Sequence, residues 1–140
     1  MEGNWKFQLR IMVSARLAAL LRGDPSCAAH PALHDVLHGY GASMMCLYDS
    51  FAEYVDEAER VGPENYPLYE WTRDTIENPE KKARYLETFT VYVGDEAVYD
   101  RHVADSLQTA LSRLVDHAEI KGVARVDTNP ANRQPPATRQ

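Results

Sequence analysis

Chemistry in this sequence begins with three histidines: His30, His34 and His38 fall at successive spacings of four, and Asp35 stands three residues before His38. Histidines four apart on a helix can bring both rings to one metal ion, and a carboxylate three positions before a histidine is a pairing found in helical di-metal sites. His30 precedes Pro31 and is expected outside the helix, while His34 and His38 fall at the edge of its apolar stripe, with Asp35 turned further toward solvent. A metal site on His34 and His38 needs a third ligand from elsewhere. His102, Asp105 or His117 could supply one only if the C-terminal helix packs alongside. No motif joins the two groups, so the expectation is half-covered boundary histidines, with no metal and no cofactor.

Nucleophiles and phosphate cradles are weaker still. Cys27 and Cys46 are too few to be a disulfide framework, and Cys46, between Met45 and Leu47 in a helical pattern, reads as a reduced, packed thiol. Neither cysteine has an adjacent charged group to depress its pKa, and no nucleophile-elbow pattern is present, so no catalytic residue is assigned. Gly39-Tyr40-Gly41 lies inside a helical pattern without the Lys-Ser/Thr of a phosphate-binding loop and reads as a packing feature.

Two groups suit contact with another protein. Asp49, Glu53 and Asp56 recur along one face of a helix, answered only by Arg60, a like-charge row that mildly destabilises an isolated helix. The segment 65–71 concentrates Tyr66, Tyr69 and Trp71, residue types enriched at interface hot spots and also suited to half-buried positions under a loop.

The elements that must position these residues follow from periodicity. Residues 5–13 alternate, with Trp5, Phe7, Leu9, Ile11 and Val13 on one side, which favours a strand over a weaker helical stripe. A helix capped by Ser14 follows, ending at Arg22 and Gly23. From Pro31, a stripe through Leu33, Leu37, Tyr40, Met44, Leu47, Phe51, Val55 and Ala58 predicts one long helix over 31–61, stopped by Gly62-Pro63 and weakened at Gly39 and Gly41, where a kink or close packing is expected. Short helices are expected over 67–77 and 79–86, the second capped by Asn78, and 88–93 alternates as a strand. After Gly94-Asp95 a long helix is expected through about residue 118, closed by Gly122, with 123–126 as a short edge strand. The fold class is therefore α+β and helix-dominated, with two strand-then-helix units flanking a long central helix and two short helices. The alternative is an all-α helical bundle.

Bulk properties bound the rest. A chain of 140 residues, 44% apolar and 26% charged, has globular composition and can bury roughly 68% of its unfolded surface. Residues 128–140, with three prolines, two arginines and no large apolar side chain, are expected to be a disordered tail on one globular domain, 1–127. The net charge of −6, less the +2 of that tail, is −8 over residues 1–127, which speaks against nucleic acid and for a basic protein surface as partner. The best apolar run, 11–21, is broken by Ser14 and Arg16, so no membrane span is expected, and a cytoplasmic location is. The leading expectation is a small acidic non-enzymatic protein-binding module, of inhibitor, immunity or assembly-factor type, acting through Asp49, Glu53, Asp56, Tyr66, Tyr69 and Trp71. The rival is a metal-dependent or small-molecule-binding enzyme using His34 and His38 with C-terminal histidines. A homodimer joined through the strands or the long helix is the third alternative.

Overall fold

The apolar alternation near the N-terminus forms a strand, β1 (Phe7–Val13), whose Phe7, Leu9, Ile11 and Val13 are buried while the residues between them are half-covered. The computed structural model describes residues 6–24 and 26–127, so Trp5 and the tail expected over 128–140 lie outside the described residues. Ser14 then caps α1 (Ala15–Leu21), its side chain accepting from the Leu17 amide as the sequence predicts.

The stripe from Pro31 onward does not form one helix. It is divided into α2 (Pro31–Tyr40), β2 (Ala42–Cys46) and α3 (Leu47–Val61), which corrects the long central helix. Gly41 is the reason: it ends α2 in the left-handed conformation, φ +62°, and its amide donates to the His38 carbonyl, a geometry that favours glycine. The spacing of Met44 and Leu47 satisfies a helical stripe, but Met44 and Cys46 are buried two apart on one face of a strand.

A single 3-10 turn (Pro63–Asn65) leads to α4 (Tyr69–Glu77) and α5 (Pro79–Leu86), the latter capped by Asn78 as expected. β3 (Thr88–Val93) follows in place. The next helix is shorter than predicted: α6 (Arg101–Ser112) starts late because Asp100 provides its cap, and it ends before Asp116, which accepts from the amides of Ala118, Glu119 and Ile120 and closes a turn. Gly122 lies within β4 (Ile120–Asp127) instead of stopping a helix.

Among the described residues, four strands form one antiparallel sheet in the order β2-β3-β1-β4, and with six α-helices the fold is α+β and helix-dominated. One face carries the β1 side chains with Met44, Cys46, Phe89, Val91 and Ile120, and they join Leu17, Leu21, Leu33, Leu37, Leu107 and Leu111 from α1, α2 and α6 in one core. Thr88 and Thr90, which alternate with Phe89 and Val91, are buried on the opposite face, where α3 and α5 rest on the sheet and α4 packs against both helices.

The centre of the sheet contains a side-chain insertion. The buried Tyr99 hydroxyl accepts from the Leu9 amide and donates to the Val91 carbonyl, both at 2.9 Å, so it stands between two residues that are paired across β1 and β3. Beyond this point β1 exchanges main-chain hydrogen bonds with Tyr99 itself, through Phe7, at 2.8 and 2.9 Å.

Candidate acidic cleft at the sheet edge

α3 positions the acidic row. Leu47, Val55 and Ala58 bury one side, and Asp49 in the first turn and Arg60 in the last complement the helix dipole. The side bearing Asp49, Ala52, Glu53 and Asp56 borders a cleft of about 740 Å³, whose other walls are Leu21 at the end of α1 with Gly23 and Asp24 after it, Ser43, Met44, Met45 and Cys46 of β2, and Tyr92 of β3 with Asp95 just beyond that strand. Five carboxylates thus line the cleft, and no lysine or arginine does so among the described residues.

These carboxylates are not equivalent. Arg22 grips Asp49 in a two-point contact, Nε donating to Oδ2 at 3.1 Å and Nη2 to Oδ1 at 2.6 Å, and this hydrogen bonding raises the Arg22 pKa. No local pattern signals this partner, because Arg22 and Asp49 lie far apart in the chain and meet only through the topology. Asp24 accepts from the Ser26 hydroxyl at 2.7 Å, from the Ala28 amide at 3.0 Å and from the Ser26 amide at 3.2 Å, and these bonds hold its carboxyl below the usual range. Glu53, Asp56 and Asp95 have no ion-pair partner among the described residues. The five do not converge: no group of three His, Cys, Asp or Glu side chains among the described residues is placed to hold one metal ion.

Tyr66, Tyr69 and Trp71 sit apart from the cleft, against the side of α3 that faces α4. The Tyr66 and Tyr69 hydroxyls donate to Glu57 and Glu59, which raises both phenol pKa values, and the Tyr54 hydroxyl accepts from the Leu68 amide. Trp71 meets the Phe51 ring edge-on at 6.0 Å, and Phe51 in turn meets Tyr85 at 5.3 Å. The aromatic segment therefore docks on its own chain, and the six residues of the expected binding surface divide between two places.

The histidines are also engaged locally. His30 caps α2, its Nδ1 accepting from the Leu33 amide at 3.2 Å, and His34 Nδ1 lies 2.8 Å from the Ser26 carbonyl. The rings of His34 and His38 stack at 6.2 Å, His102 is exposed on α6, and His117 occupies the turn closed by Asp116. Burial pushes the Cys27 thiol up to about 12 and raises that of Cys46, so at neutral pH both are protonated and poor nucleophiles.

Asp24, Asp95 and the β2 edge were not foreseen as parts of a site. Their only local signals are the turn compositions Gly23-Asp24-Pro25-Ser26 and Gly94-Asp95, which mark turns without saying what they adjoin. No protein-family model, curated protein or solved structure matches this chain.

Proposed function

We propose that this chain is a small non-enzymatic binding protein whose acidic cleft receives a basic surface of another protein. The observation that carries this reading is the set of five carboxylates from α3 and two turns around one concavity, with Arg22 neutralising only Asp49. Like charges along a concave wall focus their field and speed encounter with an oppositely charged partner. Thiols raised in pKa by burial, and two histidines, His30 and His34, engaged with main-chain groups, favour binding over catalysis. The engaged tyrosines narrow the contact surface to Glu53, Asp56, Asp95 and their neighbours.

The test isolates the partner with the wild-type chain, then compares association rates for Glu53→Lys/Asp56→Lys/Asp95→Lys at low and high salt, with melting temperature as the check on folding. The expected result is a rate at least about tenfold lower at low salt, the two proteins converging as salt screens the field. Equal rates at low salt with an intact fold would overturn the reading.

A further inference from the structure

The cleft runs along the edge of a strand. Four consecutive β2 residues, Ser43, Met44, Met45 and Cys46, line it. Because successive side chains point to opposite faces of a sheet, a wall made from consecutive residues is the strand's edge and not one of its faces. β2 is terminal in the sheet, with β3 on one side and no strand on the other among the described residues.

The register identifies which main-chain groups face the cleft. The Gly94 amide donates to the Gly41 carbonyl at 3.0 Å, and the pairing continues as Ala42 with Val93, Ser43 with Tyr92, Met44 with Val91 and Met45 with Thr90. Hydrogen-bonded pairs alternate along an antiparallel ladder, so Ser43 and Met45 bond to β3, while the amides and carbonyls of Ala42 and Met44 point away from it. Met44 lines the cleft, and no strand of the described residues pairs with β2 on that side. An edge with main-chain groups directed into a cleft is a template for one more strand.

We propose that β2 is a docking edge for an extended, lysine- or arginine-bearing segment of the partner, which adds to the sheet as a fifth strand. This rests on the acidic-cleft reading above and specifies how the cleft is used. Main-chain pairing to Ala42 and Met44 supplies affinity, and Glu53, Asp56 and Asp95 select basic side chains along the segment. A second copy pairing β2 to β2 would bring the two acidic clefts together against their repulsion. Pairing β2 to β4 of another copy gains little charge complementarity, because Lys121 and Arg125 of β4 already pair with Glu87 and Asp105.

The test titrates the isotopically labelled full chain with a short peptide alternating lysine and valine, and with two versions N-methylated at alternate amides, one for each register. All three carry the same charge. The expected result is that the parent peptide shifts the Ala42 and Met44 amide protons downfield and slows their exchange, and that at least one methylated version binds about tenfold more weakly. Equal binding of all three, with shifts at Glu53 and Asp56 but none at Ala42 and Met44, would overturn strand addition and leave the acidic-cleft reading standing. Binding by none of the three would overturn both. Concentration-dependent protection of Ala42 and Met44 without peptide would assign the edge to a second copy and overturn the proposal.

Discussion

The two edges of the sheet are both charged, yet only one holds its charge in reserve. At β4, Arg125 donates to Asp105 at 2.7 Å and to Gln108 at 2.9 Å and lies over the Phe7 ring, while Lys121 reaches Glu87 at 3.4 Å. At β2, Glu53, Asp56 and Asp95 surround an open cleft, and among the described residues Asp49 alone of its carboxylates is in an ion pair. Availability of charge therefore depends on where the topology places counter-ions, and sequence charge alone does not reveal it.

The central strands hold both edges in place, and the largest effect is expected where that support is removed. Tyr99→Phe deletes the hydroxyl between Leu9 and Val91 and leaves a buried amide and a buried carbonyl unpaired, for an expected loss of about 2–4 kcal/mol. Urea denaturation measures it. A loss below about 0.5 kcal/mol would mean that the strands close over the gap.

A smaller effect should separate the edges directly. Lys121→Glu/Arg125→Glu breaks two ion pairs, with an expected stability loss of about 1 kcal/mol, and leaves association with a basic partner within about twofold of wild type. Slowing as strong as that expected of the cleft variant would erase the distinction between the edges. Arg22→Gln should act in the opposite sense: freeing Asp49 costs about 0.2–1 kcal/mol and quickens association at low salt. A slower rate would show that Arg22 shapes the cleft more than it neutralises it.

The smallest effect concerns two turns, one beside each edge. Asp24 is held below the usual carboxylate range first by the Ser26 hydroxyl and then by the Ala28 amide, and Asp116 first by the Ala118 amide and then by that of Ile120. A folded-state pKa below the unfolded value means that the contribution to stability is present above that unfolded value, near 3.8, and is lost as pH falls through the folded one. Acid titration by NMR should place both midpoints below 3.8, with Ala28 and Ile120 losing amide protection as the turns open. Midpoints at or above that value would show that the turns do not depend on these carboxylates.

Local rules made much of the fold legible. The alternation of β1 and β3, the Ser14 and Asn78 caps and the Pro79 start each act within a few residues, and each stands where the sequence placed it. β2 was hidden because Met44 and Leu47 satisfy a helical period, and a five-residue strand offers too few alternations to compete with it. Gly41 falls inside the helical period, yet it is the terminus of a helix. Of the cleft, only the row on α3 was visible. Asp24, Asp95 and Arg22 arrive from other elements, and the strand order that gathers them is a long-range property.

That strand order also sets a timetable. β1 is made first, but both of its neighbours, β3 and β4, begin only at Thr88 and Ile120. At ribosomal rates the nascent chain carries this apolar strand without a sheet partner for on the order of ten seconds. During that interval its row of Phe7, Leu9, Ile11 and Val13 lacks both of its sheet neighbours, which leaves the strand open to aggregation while synthesis continues.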